Sequence, residues 1–434
     1  MVGAGPAGLA AAKAASFRTS VVLVDAEVQP GGQVWRSGPR RVSLPNRYRG
    51  LDQKEGLRIL SGREVWLIRP SASGFSLFLD DGGRVEGRGL ILCPGSTELV
   101  LPSPGWDRPG VLSGGAAQIL AKSYGLLASG RWVVAGNGPF VLQVAAELSH
   151  RGAEILMVCL ASTLESPEGL FAALARPSKL AQALGQLGSL WWKRVRLLER
   201  AGVIGVEGDG PFRVRIARLR SDWEPLSGEE LWIEADGVAL SFGFVPRLEL
   251  ALQLDLSCRR PRGHPSGAVA VDGRMRTSRE GVWAAGEVVG LGGWEEAERH
   301  GRLAGSDAAR WVTTKPGQRG PWFGGQAKRG AWAKSLEQLW AIRPGWTSWL
   351  DETCVVCRCE AVTWGEVLGA LHGGARDLRG LRGLCRVGMG PCQGRICGPP
   401  LQMAVAKMLG VSPDVVGHLQ ARPVAVPVRL EKVI

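Results

Sequence analysis

The stretch Val2-Gly3-Ala4-Gly5-Pro6-Ala7-Gly8-Leu9, with Asp25 downstream of it, decides how the rest of this 434-residue chain is read. Glycines at this spacing make a turn between a strand and a helix. Gly3 allows the bend, Gly5 the close approach of a pyrophosphate, and Gly8 the packing of helix on strand. Residues Leu9–Ala15 continue as a helix whose N-terminal amides and dipole face the phosphate. Val21–Val24 is then a short buried strand, and Asp25 at its tip can accept both hydroxyls of an adenosine ribose. The glycines alone would describe any glycine-rich loop; strand, helix and acid together describe a dinucleotide site. Only Met1 and Val2 precede the turn, where a complete central strand belongs. Its loss would bare the edges of two neighbouring strands, so the expectation is a truncated reading of the gene, with the true start upstream.

Working outward, Gly31-Gly32-Gln33 lets backbone lie beside a flat ligand, and Gln33 can hydrogen-bond it. Gly89–Cys93 is another buried strand, running into Cys93-Pro94-Gly95 where dinucleotide flavoproteins usually carry Ala-Thr-Gly. Val282-Trp283-Ala284-Ala285-Gly286-Glu287 delivers a carboxylate at a strand tip, ahead of a helix containing Ala297, Gly301 and Ala304. In two-domain flavoproteins that strand ends in Gly-Asp, whose acid holds the ribityl chain; Glu287 is one methylene longer. The candidate FAD-binding residues are therefore Gly3, Gly5, Ala7, Gly8, Asp25, Gly32, Gln33, Gly95, Gly286 and Glu287. No acid–base dyad for substrate oxidation stands out, so no catalytic residue is assigned. His300 is a candidate flavin neighbour, although histidines in such positions are more often structural.

A second, poorer nucleotide turn lies between these parts: Arg131–Ala135 as strand, Gly136-Asn137-Gly138-Pro139, then a helix Val141–His150. Val141 replaces the third glycine, and the next strand ends in Cys159-Leu160, with no acid for a ribose and no arginine for a 2′-phosphate. That argues against NAD(P), without removing it, and favours a retained fold with no ligand or a different adenine nucleotide. Leu180–Ala201 reads as one helix carrying Trp191-Trp192. The expected fold is α/β, with two nested Rossmann-like dinucleotide-binding domains as in disulfide-reductase-like flavoproteins, plus a small C-terminal helical Fe–S domain. Its expected boundaries are 1–105 and 236–312 for the split FAD-binding domain and 106–235 for the inserted domain. A Trp-rich linker (313–350), a cluster domain (351–420) and a tail (421–434) follow. No C-x-x-C stands in either nucleotide unit, so thiol–disulfide chemistry at the flavin is not expected. The six tryptophans of residues 311–349 (Trp311, Trp322, Trp332, Trp340, Trp346 and Trp349) make this stretch too apolar for a free tether. They fit packing between domains or a subunit interface.

The net charge of +13 would suit nucleic acid, but the arginines are scattered and no nucleic-acid motif is present. No apolar run reaches membrane-span length, and no charged-then-apolar leader is expected ahead of the glycine turn. The expectation is a cytoplasmic protein that meets the inner face of the cell membrane only through a complex. Nine cysteines in such a chain point to metal or redox groups rather than structural disulfides.

Four of them form two pairs, Cys357-Arg358-Cys359 and Cys392-Gln393-Gly394-Arg395-Ile396-Cys397. A capping box (Thr363, Glu366) opens a helix between them, and Asp377–Leu384 suggests another. Four thiolates suit zinc or an iron–sulfur cluster. Zinc ribbons prefer C-x2-C knuckles, which favours 2Fe–2S here. Amides of Gly388, Gly390 and Gly394 can hydrogen-bond cluster sulfides, and Arg358, Arg386 and Arg395 can offset the charge added on reduction. Cys354 is a rival ligand and Cys385 a spare; both are expected to be bystanders.

The segments Cys357-Arg358-Cys359-Glu360 and Arg386-Val387-Gly388-Met389-Gly390-Pro391-Cys392-Gln393-Gly394-Arg395 resemble the cluster domain of bacterioferritin-associated ferredoxin in its flavoprotein-fused form. With Gly31-Gly32-Gln33, Pro104-Gly105-Trp106, Gly114-Gly115-Ala116-Ala117-Gln118, Ala135–Pro139 and Arg422-Pro423, nearly the whole chain is similar to the FAD-containing subunits of heteromeric amino-acid and opine dehydrogenases. That group includes the octopine and nopaline oxidases, hydrogen cyanide synthase, and the proline and hydroxyproline dehydrogenases. The resemblance implies FAD and a 2Fe–2S cluster, and it allows an FMN at a subunit interface. It also implies a partner protein, an FAD-dependent subunit that oxidises an amine or amino acid. A further small ferredoxin-like subunit is allowed by it. This chain would pass electrons from the partner's flavin towards a respiratory acceptor. A stand-alone NAD(P)H-dependent flavin reductase and a non-catalytic assembly scaffold are the alternatives.

Overall fold

A computed structural model describes residues 1–38, 41–126, 129–163, 177–261, 263–315, 318, 322, 334–335, 337–338, 341–419 and 424–432. Trp332, Trp340, Arg422 and Pro423 lie outside them.

The first unit is a parallel sheet built around the glycine turn. Val21–Asp25 pairs with Leu57–Ser61, and Leu90–Leu92 with Val282–Ala284. Met1–Gly3 fills the gap between these two pairs. The Val2 amide donates to Ile91 O at 3.0 Å and its carbonyl accepts from the Cys93 amide at 2.8 Å, while Gly3 N donates to Val24 O at 2.8 Å. The edges expected to be bare are thus hydrogen-bonded along this short segment, because three residues suffice to span the pairs that face the turn. The Pro6–Ala15 helix follows and packs tightly on the Trp294–Thr313 helix. Glycine makes that approach possible: a Cβ on Gly301 would sit 2.0 Å from the Ala7 carbonyl oxygen, and one on Gly305 2.2 Å from that of Ala11. A three-stranded antiparallel sheet (Val65–Ser71, Gly74–Leu79, Arg84–Gly87) completes the unit.

The second unit has a five-stranded parallel sheet in the order Val111–Ser113, Gly237–Ser241, Arg131–Gly136, Glu154–Leu160, Arg196–Glu199. The helices Gly114–Tyr124 and Pro139–His150 pack on it. A three-stranded antiparallel sheet (Ala201–Glu207, Phe212–Leu219, Pro225–Ala235) extends it. Two expectations are corrected here. Gly237–Ser241 belongs to this sheet rather than to the resumed FAD-binding part, so the return crossing falls after Phe242 and not at 236. The helix predicted over Leu180–Ala201 runs over Pro177–Trp192, and Arg194, held at φ 56, turns the chain into the strand Arg196–Glu199. Apolar residues resuming at Val195, Leu197 and Leu198 hide that stop. The two crossings between the units, Ser96–Glu98 and Phe244–Pro246, pair antiparallel.

The cluster domain consists of a small hairpin (Val355–Cys357, Val362–Thr363) and the helices Trp364–His372, Leu378–Cys385 and Gly398–Leu409. The expected capping box is formed, with Thr363 accepting from Glu366 N and the Glu366 carboxylate accepting from Thr363 N at 2.7 Å. Asp377 caps the next helix through Gly380 N. The described linker tryptophans pack inside the chain. Trp346 and Trp349 join the second unit and the cluster domain in one apolar core, with Trp349 against Trp223 and Phe242. Trp311 and Trp322 enclose Trp283 in the first unit. Among the described residues no helix is long and apolar enough to cross a membrane.

Candidate functional site

A cavity of ≈1070 Å³ opens along the glycine turn and continues into the second unit. Of the predicted residues, Gly3, Gly5, Asp25, Gly32, Gln33, Gly95 and Glu287 line it. Ala7, Gly8 and Gly286 stand behind the wall and set its shape: a Cβ on Gly8 would lie 1.7 Å from the Gly3 carbonyl oxygen, and one on Gly286 2.8 Å from Ala7 Cβ. Gly5 is different. A Cβ there would meet no protein atom within 4 Å, so chain packing does not require its glycine. The space it leaves faces the cavity at the start of the Pro6–Ala15 helix, where a pyrophosphate would meet free amides. The cradle therefore fits a dinucleotide.

Asp25 is buried at the end of its strand. One carboxylate oxygen accepts from Ala4 N and the other from Glu27 N at 2.8 Å. Burial pushes its pKa up, against the pull of those two amides. Both oxygens keep a lone pair for a ribose. Gln33 Nε2 donates to Glu27 at 3.3 Å and still reaches the wall. Glu287 accepts from the Ser96 hydroxyl, and burial raises its pKa. His300 is buried, sits 3.2 Å from Glu296 and is not among the residues that line the cavity.

Several wall residues carry no mark in the sequence. Ser96 and Glu98 alternate onto one face of a crossing strand, so both reach the cavity. Glu98 accepts from Gly115 N at 2.8 Å, at the first turn of the Gly114–Tyr124 helix. Burial raises its pKa, opposed by Ser241, Ser113 and the Gly115 amide. A carboxyl whose folded pKa is raised binds more protons folded than unfolded. Its stability cost therefore appears as pH rises above the ordinary glutamate value of 4.5. Glu98→Gln is expected to hold its stability over that rise while the parent loses it, read by denaturant titration at a series of pH values. At the far end the cavity reaches Asn137, Gly138, Leu160, Ser162 and Thr163 of the second turn. Among the described residues, the segment directly after the Glu154–Leu160 strand, Ala161-Ser162-Thr163, holds no carboxylate.

The four predicted ligand cysteines come together as two pairs. Cys397 lies beside Cys357 and, as the largest influence, lowers its thiol to about 6 with help from the Gly388 amide, which donates to Cys357 Sγ at 3.5 Å. Cys397 is itself raised well above the ordinary thiol value by its partner and by burial. Cys392 lies beside Cys359, and all four thiols feel one another's charge. Among the described residues no three His, Cys, Asp or Glu side chains gather around a single ion. Two pairs fit two irons, each taking two thiolates, better than one tetrahedral zinc. Cys354 is buried with its thiol pushed up to about 12 by that burial, and the Cys385 Sγ points to Leu381 O at 3.2 Å.

The arginines are not arranged as expected around these sulfurs. Arg358 donates to Asp107 O and covers Trp106, and Arg386 pairs with Glu360. Arg395 leaves the cluster altogether and pairs with buried Glu249 on the cavity wall. Each guanidinium finds a carboxylate, ring or carbonyl from a distant part of the chain, which local sequence does not announce.

Two nucleotide-type units facing one cavity, joined by paired crossings, define a two-domain oxidoreductase of the flavin-dependent class. The chain belongs to the pyridine nucleotide-disulphide oxidoreductase family, matched over residues 1–301, and carries a BFD-like [2Fe-2S] binding domain at residues 355–406. It is 32% identical to an opine oxidase subunit of Rhizobium meliloti (strain 1021), over 100% of this chain and 97% of that protein. It is 29% identical to hydrogen cyanide synthase subunit HcnB of Pseudomonas aeruginosa, over 92% and 90% of the two chains. The fold is also that of L-proline dehydrogenase from P. horikoshii, with a TM-score of 0.63 at 16% identity, covering 100% of this chain and 78% of that one.

Proposed function

We propose that this chain is the electron-transfer subunit of a heteromeric dehydrogenase that oxidises the carbon–nitrogen bond of an amino acid or opine. The substrate class is proline, hydroxyproline, octopine or nopaline, or glycine. The observation that carries this reading is that Arg395, set between Cys392 and Cys397, stands on the wall of the dinucleotide cavity and pairs there with Glu249. FAD, when bound, accepts two electrons, and a 2Fe–2S centre passes electrons on singly. The chain's own residues supply the rest. Gly3 and Gly5 would bring backbone to the pyrophosphate, Asp25 would take the ribose, and Glu287 would hold a ribityl hydroxyl. Cys357, Cys359, Cys392 and Cys397 would hold the two irons of the cluster. On this reading the oxidation of the substrate itself belongs to the partner protein. An FMN between subunits, a small ferredoxin-like partner and a peripheral membrane position all fit this arrangement.

The continuous cavity does favour one second reading, a stand-alone NAD(P)H-dependent flavin reductase that uses Asn137–Pro139. The two separate cleanly. On the first reading, NADH and NADPH leave the flavin of the purified chain oxidised. Co-expression with a neighbouring flavin oxidase gene then makes flavin and iron reduction depend on an amino acid or opine. Flavin bleached by NADH alone would overturn it.

A further inference from the structure

Arg395 lies between the two C-terminal cysteines, and it is the only described residue of 351–420 on the wall of the dinucleotide cavity. The loop is shaped to present it. Gln393 and Gly394 both take left-handed conformations (φ 53 and 81), and Arg395 N closes the turn on Cys392 O at 3.1 Å. From there its Nε pairs with Glu249, a residue 4% exposed, and its Nη2 donates to Ala425 O at 3.1 Å. Glu64 lies 3.9 Å from the same nitrogen. Arg247 stands 3.9 Å from Glu249 and 3.6 Å from Glu64, and its amide donates to Gly95 O at 3.1 Å. A chain of contacts therefore runs from the Cys392–Cys397 loop to Gly95 and Glu64, both on the wall.

We propose that Arg395 is a positioning residue that couples the two cofactor sites: its pairing with Glu249 seats the cysteine loop against the dinucleotide cavity, so that filling either site tightens the other. This rests on the reading that the cavity takes FAD and the four cysteines hold a cluster. With the cluster in place, Cys392 and Cys397 fix the loop ends and hold the guanidinium on the wall. Without it the loop relaxes, and Glu249 is left buried without its closest cation. Linkage then requires FAD to stabilise the cluster by the same factor as the cluster stabilises FAD.

The test measures the FAD dissociation constant of the full-length protein by flavin fluorescence, before and after iron is removed with a chelator under reducing conditions. In the parent protein, iron removal is expected to weaken FAD on the order of tenfold. Arg395→Met is expected to keep the cluster's visible spectrum but bind FAD equally with and without iron. Glu249→Gln should do the same, which guards against a folding defect peculiar to one variant. Arg395→Lys should retain part of the effect, because a point charge still pairs but cannot also reach Ala425 O in the same fork. The iron effect persisting unchanged in Arg395→Met and Glu249→Gln, or absent from the parent, overturns the coupling. FAD failing to bind in any form is a separate result, which sinks the underlying reading and this proposal with it.

Discussion

Gly8→Ala is expected to unfold the first unit, whereas Gly5→Ala, three residues away, leaves it folded and blocks its ligand. A Cβ at Gly8 must occupy space 1.7 Å from the Gly3 carbonyl oxygen, and backbone on the far side cannot give way as a side chain tip would. The expected cost is about 3 kcal/mol or more. Gly5 has φ −72, a value any residue adopts, and nothing of the protein within 4 Å of its would-be Cβ. Alanine there is expected to change stability by no more than about 0.5 kcal/mol. It should still weaken FAD on the order of a hundredfold, since about 3 kcal/mol of overlap falls on the ligand. Denaturant unfolding and flavin-to-protein ratio, measured on both variants, check the contrast. Equal destabilisation by the two alanines would mean that the turn is a packing device and not a cradle.

The other large effect concerns the cysteines. Cys357→Ser, Cys397→Ser and the double variant Cys392→Ser/Cys397→Ser are each expected to bring bound iron to background, because each breaks a pair on which one iron depends. FAD supplied in excess should still be retained, since no cysteine of these pairs lies on the cavity wall. Cys354→Ser and Cys385→Ser should keep their iron. Iron and sulfide analysis with visible spectra reads all five. Iron that survives loss of Cys397 but not of Cys354 would move the ligand set to the C-x-x-C made by Cys354 and Cys357.

What can be read from the letters divides along a physical line. Gly3, Gly8, the cap at Thr363 and the pairing of thiols depend on conformations or chemistry that few residue types supply, so the letters themselves announce them. Glu98 carries no such mark: its role comes from a strand crossing that puts it against Gly115, seventeen positions away. Gly237–Ser241 reads as part of the resumed FAD-binding unit because a short buried strand has the same composition in either sheet. Only its register against Trp132–Gly136 decides the matter. The helix that stops at Trp192 ends on a left-handed arginine, where an apolar pattern foretells continuation. Arg395 reads as a cluster residue because it stands beside two cysteines; its partner is 146 positions distant.

The tail has a consequence for how the protein is made. Ala425 N bonds Trp66 O at 2.9 Å, and Ala425 and Val426 close the same hollow that Gly3 and Gly5 open. Segments synthesised some four hundred residues apart thus finish one chamber. A protein cut short before Ala425 is expected to present an open-ended vessel however well its earlier parts had folded.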